Sequence, residues 1–189
     1  TFDDYVKGQT TTAHPHFDFT TKESFNYVTQ FGAKSFYTIY AIGEHSAARR
    51  IIRSLKVKEP SYMHSFAMTE HYVVLVEYPF TVNPFSLVVN PQTFIQNFRW
   101  HPERQTRFIV VNRHTGDLAG ELFTPPFFAF HHVNAFEDKE RIVVDVVAYK
   151  DASIIKSLYL DVLLKHFEEK FSESLLTRFI LDINRASIQ

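Results

Sequence analysis

Short runs of β-branched and aromatic residues, separated by turn residues, recur along most of the chain. Seven such runs predict β-strands at residues 34–42, 51–58, 72–78, 107–113, 118–123, 141–149 and 177–183. The HTGD sequence at 114–117 stands between two of these runs and predicts a hairpin turn. Many short strands at close spacing predict an all-β sandwich, barrel or propeller.

Two segments depart from this pattern. Apolar residues recur near helical spacing across residues 153–172, which predicts a helix over at least the second half of that segment. Residues 79–102 are rich in Phe, Val, Leu and Ile but are broken by Pro84 and Pro91, so this segment is too short and too interrupted to cross a bilayer. It could lie as an apolar patch on a membrane surface, or fold back onto its own core.

Composition narrows the classes of function. The formal net charge is −1 over 189 residues, which excludes a strongly basic protein built to neutralise phosphates, so we expect no nucleic-acid partner. Cysteine is absent, which excludes disulfides and thiolate metal sites and is compatible with a reducing cytosol. Twenty phenylalanines fit either an aromatic β core or a site for a flat apolar ligand.

Three of the ten histidines stand in distinctive local contexts. His14 precedes Pro15, which favours an extended and rigid backbone at the histidine. His64 lies in an apolar segment that precedes the strand predicted at 72–78. His131 and His132 are adjacent, and in an extended segment only one of the two can face a common centre. The separations of 50 and 67 residues between His14, His64 and His131 are compatible with one histidine per propeller blade plus a loop.

These histidines leave alternatives open when each is considered by itself. The sequence His16-Phe17-Asp18 has the His-x-Asp spacing of two-histidine, one-carboxylate iron oxygenases. A lone histidine such as His64 is also common as a hydrogen-bonded core residue. The remaining histidines stand beside turns, charges or a helix tail and are predicted to be exposed to solvent, at His45, His71, His101, His114 and His166.

Taken in order, three segments resemble the motifs of the carotenoid cleavage oxygenase family, which includes the retinoid isomerohydrolase of the eye and the plant epoxycarotenoid dioxygenases. They are TAHPHFD at 12–18, SYMHSFAMT at 61–69 and FHHVNAFE at 130–137. The similar residues Tyr159-Leu160 and 178–181 follow in the expected order, so the resemblance covers nearly the whole chain.

This resemblance implies a seven-bladed β-propeller that carries Fe(II) on four histidines. It implies that His14, His64 and His131 are three of these ligands, and that His16 and His132 are not. The chain would then supply about three blades with one short helical insertion. The family's fourth ligand and its orienting glutamates have no counterpart here, so we expect residues 1–189 to be a partial propeller domain, truncated at both ends. Residues 79–102 occupy the place of the family's membrane-docking patch.

The activity implied by the resemblance is cleavage of a C=C bond of a carotenoid or apocarotenoid by O2, with two carbonyl products. Phe66, Phe127, Phe128 and Phe130 are candidate substrate-lining residues, and their alternative role is core packing. The family also allows a stilbene-cleaving dioxygenase or a retinoid isomerohydrolase. A non-enzymatic propeller that binds lipophilic molecules, or an inert fragment without the fourth ligand, are further alternatives. The expected location is cytoplasmic and peripheral to a membrane.

Overall fold

The structure, a computed structural model, describes residues 2–165 and 172–189. It contains three successive antiparallel sheets. In the first sheet the order is β1-β3-β4-β5, and β2 pairs with β3 on the same side as β1. Its strands are β1 (Thr10–Thr11), β2 (His16–Asp18), β3 (Glu23–Gln30), β4 (Ser35–Gly43) and β5 (Arg50–Val57).

The second sheet has the order β11-β10-β7-β6. Its strands are β6 (Ala67–Met68), β7 (Tyr72–Glu77), β10 (Thr106–Asn112) and β11 (Leu118–Thr124). The chain leaves this sheet between β7 and β10. The elements of that excursion are β8 (Phe80–Thr81), the helix α1 (Ser86–Val89), a 3-10 turn (Ile95–Asn97) and β9 (Arg99–Trp100), and β8 pairs with β9.

The third sheet has the order β12-β13-β14-β15. Its strands are β12 (Phe128–Asp138), β13 (Arg141–Tyr149), β14 (Ser174–Asp182) and β15 (Ser187–Ile188). Two short helices, α2 (Ser153–Ser157) and α3 (Leu160–Lys165), follow β13. Three consecutive antiparallel meanders are the arrangement of propeller blades. The prediction of an all-β chain that supplies about three blades is confirmed.

All seven predicted strands form, and their bounds differ from the prediction by at most a few residues. The best example is the middle sheet, whose strands β7 and β10 are buried on both faces. Val74 and Phe108 pack toward the third sheet, whereas Leu75 and Ile109 pack toward the first. Because both faces need apolar side chains, these strands appear in the sequence as continuous apolar runs.

Strand β3 was not predicted, because polar residues alternate with apolar ones among its buried positions. Asn26 is buried, and its side-chain amide donates to the carbonyl oxygen of Thr12 (3.0 Å) while its side-chain oxygen accepts from the Tyr27 amide (2.7 Å). Hydrogen bonds of this kind remove the cost of burying a polar group. The pattern of apolar residues along the chain does not reveal such hydrogen bonds.

The hairpin predicted at residues 114–117 joins β10 to β11 and is confirmed. The side-chain oxygen of Asn112 accepts hydrogen bonds from the amides of His114 and Thr115. Gly116 has a φ of 78°. A Cβ at this position would lie 2.3 Å from the carbonyl oxygen of Ile52, so both the backbone conformation and the space require glycine.

The helix predicted over at least the second half of residues 153–172 is observed as far as Lys165. The first half of residues 153–172 is helical but divides into α2 and α3, and residues 166–171 lie outside the described part of the chain. The short helical turns of the 79–102 excursion were not predicted, so a single helical insertion is an incomplete description. Within the described ranges, none of the helices combines the length and the apolar character needed to span a bilayer.

Candidate metal centre

Each of the three candidate ligands lies at the same edge of its sheet, in or beside an irregular strand. His14 occupies the gap between β1 and β2, and His64 lies three residues before β6. His131 lies within β12, where Ala129 pairs with Ala148 and His132 pairs with Val146, so two residues stand opposite one. Bulges of this kind redirect a side chain out of the regular alternation.

The three imidazoles converge on one point. Their ligand nitrogens all lie within 4.8 Å of one another, and the Nε2 atoms of His14 and His64 are 2.9 Å apart. The ring of His131 stands edge-on to the other two, with centroid distances of 5.0 Å to His14 and 4.9 Å to His64. Imidazole nitrogens bind first-row ions at about 2.0–2.1 Å, so two of them at right angles around one ion lie about 3 Å apart. The spacing of His14 and His64 therefore fits a shared ion.

The surroundings favour neutral imidazoles. Burial lowers the pKa of His64, and the neighbouring His131 and His14 lower it further. Burial also lowers the pKa of His131, with His14 as the second cause. A neutral imidazole keeps the lone pair that a metal ion needs, so both side chains are in the binding form at neutral pH.

The competing His-x-Asp site does not assemble. The ring nitrogen Nε2 of His16 lies 2.8 Å from the carbonyl oxygen of Phe66 and donates to it. The carboxylate of Asp18 accepts from the guanidinium of Arg113 (2.6 Å). Across residues 2–165 and 172–189, His14, His64 and His131 make up the one group of three possible ligands in such proximity.

The adjacent histidines point in different directions, as the extended segment predicted. His131 faces the cluster, whereas the Nδ1 atom of His132 lies 2.8 Å from the hydroxyl of Ser65. Burial lowers the pKa of His132 to about 3, and His16 and His131 contribute to the shift. His132 is therefore a neutral packed residue beside the cluster.

Comparison with known proteins agrees with this arrangement. The sequence model of the family described as "Retinal pigment epithelial membrane protein" matches residues 1–189. The chain belongs to this family. Similar relatives include a mitochondrial carotenoid-cleaving dioxygenase of Macaca fascicularis, which is 32% identical over 92% of this chain and 35% of its own length. A β,β-carotene 15,15′-dioxygenase of Gallus gallus is 36% identical over 62% of this chain and 23% of its own.

Solved structures similar to this family member include the cobalt-substituted apocarotenoid oxygenase of Synechocystis. It superposes with a TM-score of 0.76 at 20% identity, over 97% of this chain and 39% of that one. A variant of the same oxygenase superposes with a TM-score of 0.77 over 98% of this chain. The fold is therefore shared with these proteins. The chain spans about a third of the length of the curated relatives that it matches.

Tyr62 is a neighbour of the cluster in this family member that sequence reasoning missed. Its hydroxyl lies 3.3 Å from the Nδ1 atom of His64, and its ring stacks on Phe128. With the Nε2 atom of His64 facing the cluster, the Nδ1 proton can be donated to this hydroxyl, a contact of the type that orients metal-binding histidines. The position of Tyr62, two residues before His64, was the available signal.

The four candidate phenylalanines lie at different depths. Phe66 and Phe128 are buried in the two parts of the core. Phe127 stacks on Phe179 and borders an open groove of about 710 Å³ on the third sheet, where the lining residues do not include the three histidines. Phe130 is half-buried with its ring centroid 5.5 Å from that of His64. Phe130 is thus the candidate that adjoins the cluster, and the substrate role of all four stays a prediction.

A cleft of about 260 Å³ runs from His64 to the excursion between β7 and β10. Its walls include Tyr62, Phe94 and Phe98, together with Phe31 from the first sheet. The excursion itself has two sides. Phe80, Val82 and Phe98 are buried in the core, and the large apolar residues that it exposes are Phe85, Val88, Val89 and Phe94.

The histidines predicted to be exposed mostly are so. His45, His71 and His114 are exposed, and His101 is half-buried. His166 lies outside the described residues. His71 pairs with Glu137 through its Nδ1 atom at 2.8 Å, so this exposed histidine joins the second sheet to the third.

Proposed function

We propose that this chain supplies three of the iron-binding histidines of an Fe(II) dioxygenase that cleaves a C=C bond of a carotenoid or apocarotenoid. One observation carries the proposal. His14, His64 and His131 come from three separate sheets, yet their ligand nitrogens lie within 4.8 Å of one another. Unrelated surface histidines do not converge in this way, and the family membership gives the convergence a chemical meaning.

The donor set fits iron. Three imidazoles suit a first-row transition metal, and they leave coordination positions for other ligands. Bound Fe(II) would supply the one-electron and O2 chemistry that side chains lack. The chain's own contribution is to hold His14, His64 and His131 in place and to orient the ring of His64 through Tyr62.

The substrate class is supported by the relatives and by the cleft. The names of the relatives refer to carotenoid cleavage and to β,β-carotene. In this chain, an elongated apolar molecule in the cleft would run along the rings of Phe94, Phe98 and Tyr62 toward His64. Aromatic walls that exclude water suit a conjugated polyene. The cleft alone is smaller than the 300–1,000 Å³ or so of typical ligand sites, so it would form only part of the binding site.

We propose that the excursion between β7 and β10 docks on a membrane surface. Phe85, Val88 and Val89 are exposed in α1 or next to it. Phe94 is also exposed, and it lines the cleft as well. An apolar ligand could therefore pass from the bilayer to the cleft without crossing water. The cytoplasmic, peripherally membrane-bound location remains a prediction that cell fractionation tests.

The decisive test of the metal proposal is His64→Ala in the protein at its full encoded length. We expect loss of bound iron and of polyene cleavage, because the substitution removes one of the three converging ligand nitrogens. Iron is measured by elemental analysis and cleavage by chromatography of the carbonyl products. His45→Ala, at an exposed histidine that is not part of the cluster, should leave both unchanged. An active enzyme free of metal would refute the proposal.

Product analysis distinguishes the alternatives. Two carbonyl fragments that each carry an atom from labelled O2 identify a dioxygenase, and the identity of the accepted substrate separates carotenoid from stilbene cleavage. An isomerised retinol without oxygen from O2 would identify the isomerohydrolase alternative. Tight polyene binding without any turnover would favour a lipophile-binding protein, and absence of both would fit an inert fragment.

The membrane proposal predicts that Phe85→Ser combined with Val88→Ser weakens binding to lipid vesicles. The two side chains are exposed, so the stability of the fold should change by no more than about 0.5 kcal/mol per substitution. Co-sedimentation with phosphatidylcholine vesicles measures binding. Leu175→Ser, at a side chain of similar exposure on the third sheet, is the matched control. Equal binding by the double variant and the unaltered protein would exclude this surface.

A further inference from the structure

The three ligand segments belong to different sheets, so no sheet ladder joins them directly. β1 and β2 pair with β3, β6 pairs with β7, and β12 pairs with β13. The spacing between the imidazoles must therefore depend on other contacts. Tyr27 and His16 bind the carbonyl oxygens of Met63 and Phe66, on either side of His64. Two buried hydroxyl groups, on Thr12 and Ser65, bind the backbone at the ligands and at their immediate neighbours.

Thr12 connects the first ligand to the second. Its hydroxyl donates to the carbonyl oxygen of His64 and accepts the backbone amide of His14 (3.1 Å). The carbonyl oxygen of Thr12 accepts from the buried side chain of Asn26, which anchors this corner to β3. One side chain thus ties the backbones of two ligands, whose sequence positions are 50 residues apart.

Ser65 connects the second ligand to the third. Its hydroxyl donates to the carbonyl oxygen of Phe130 (2.7 Å) and accepts the backbone amide of His132 (3.0 Å). The Nδ1 atom of His132 lies 2.8 Å from the same oxygen. A hydroxyl has one proton and two lone pairs. The Ser65 proton is donated to the Phe130 carbonyl oxygen and one lone pair accepts the His132 amide, so the second lone pair accepts the Nδ1–H group of His132. Both neighbours of His131 are therefore held by the residue that follows His64.

We propose that Thr12 and Ser65 are positioning residues that set the spacing of His14, His64 and His131. This inference rests on the proposed metal site. The two hydroxyls form a continuous connection, from His14 through Thr12 to His64 and from His64 through Ser65 to the bulge of β12. His64 is the central member, because both hydroxyls act on its immediate backbone.

The connection predicts an effect on metal binding that exceeds any effect on folding. Contacts that orient ligands typically contribute about 10- to 100-fold to metal affinity. A hydroxyl that only satisfies a buried carbonyl group would instead lower stability and leave the metal site of the folded protein unchanged. The two roles therefore separate in a measurement of metal affinity on folded protein.

The test for Thr12 uses Co2+ as the probe, in the metal-free protein at its full encoded length. The ligand-field absorption of Co2+ reports the coordination geometry, and competition with a chelator gives the affinity. For Thr12→Val we expect at least about 10-fold weaker binding and shifted absorption bands, whereas Thr12→Ser keeps the hydroxyl and should restore both. The control is Thr11→Val, whose hydroxyl donates to the Tyr27 carbonyl oxygen (2.7 Å) without touching a ligand segment.

The test for Ser65 has an equally close control. Ser61 is also buried, lies four residues earlier and donates its hydroxyl to the Tyr78 carbonyl oxygen (2.7 Å). Ser65→Ala should weaken Co2+ binding and shift its spectrum, and Ser61→Ala should do neither, although both remove a buried hydroxyl that donates to a backbone carbonyl oxygen. Thermal unfolding of the metal-free variants confirms that the comparison is made on folded protein. If Thr12→Val does not fold, Thr12→Ala against Thr12→Ser makes the same comparison.

The outcomes separate the two proposals. Unaltered affinity and spectrum in Thr12→Val and Ser65→Ala, with Co2+ bound normally by the unaltered protein, would overturn the positioning role alone. The same holds if the control variants weaken binding as much as the test variants. Failure of the unaltered protein to bind Co2+ would overturn the metal site and the positioning role together.

Discussion

The edge strands that carry or adjoin the candidate ligands differ from the central strands of the same sheets in pairing, length and regularity. The central strands, such as β7, β10 and β13, pair on both sides, and most of their residues are buried. The edge strands β1, β2 and β6 have only two or three residues each, and β12 has two register shifts. All three candidate ligands lie in or beside the edge strands. The buried packing and the candidate ligands thus lie in different strands of the same blades.

The difference has a physical cause. A ladder with regular alternation directs side chains to the two faces of a sheet, where neighbouring sheets cover them. A side chain that must point along the edge, toward a centre shared by several sheets, requires a break or a bulge. Such a break loses backbone hydrogen bonds of the ladder, and side-chain hydrogen bonds such as those of Thr12 and Ser65 replace some of them.

The largest expected effect is a loss of stability from the central region. Phe108→Ala in β10 should lower the free energy of unfolding by about 3–5 kcal/mol, because the ring is fully buried in the core. Chemical denaturation measures the loss. The Co2+ affinity of the protein that remains folded should be unchanged. A variant that kept its stability but lost metal would contradict the division between the two groups of strands.

An intermediate effect is expected where an edge strand is tied to the central region. The carboxylate of Asp18 in β2 pairs with Arg113 across two sheets, and both side chains are nearly buried. Asp18→Asn should cost about 1.5–3 kcal/mol at neutral pH, the usual contribution of a hydrogen bond to a charged group. Denaturation at several pH values measures it.

The pH dependence of that effect has a defined sign. Burial raises the pKa of Asp18, but hydrogen bonds from the amides of Thr21 and Thr20 and from Arg113 outweigh it, so the pKa falls below its usual 3.8. The stabilisation is therefore complete above pH 3.8 and is lost as the pH falls through the lower folded value. The gap between the unaltered protein and Asp18→Asn should close in acid. A constant gap would show that the charge is not the cause.

The smallest effect is expected for the same substitution in an edge strand. Phe136 in β12 is partly exposed, and its ring lies under the guanidinium of Arg178 at 5.6 Å. Phe136→Ala should lower the free energy of unfolding by about 0.5–1 kcal/mol, the usual contribution of a cation–π contact at an exposed site. Measured beside Phe108→Ala, it compares one side-chain change in both regions. Equal losses would remove the distinction.

The success of sequence reasoning followed this division only in part. Central strands such as β7 and β13 were predicted because burial on two faces requires the apolar runs seen in them. The short strands β1, β2 and β6 carry too few residues for any periodicity to show. Strand β3 was missed because Asn26 satisfies its polar group through Thr12, a partner far away in sequence.

The candidate site shows the same limit. The resemblance of three motifs selected His14 over His16 and His131 over His132, and the structure places the selected three together. Spacing alone could not have done so, since the bulge in β12 decides which neighbour faces the centre. Thr12, Tyr62 and Ser65 were overlooked because the importance of a hydroxyl depends on its partner in space. Each lies within two residues of a ligand, which is the signal that was available.

The direct pairing of β7 with β10 has one more consequence. The 79–102 excursion leaves and re-enters the middle blade between two strands that are hydrogen-bonded to each other along six residue pairs, so its length is not set by the ladder. Relatives could lengthen, shorten or recompose this segment while the blade and its histidine stay unaltered. The surface that this excursion presents and the proposed metal site are therefore free to evolve at different rates.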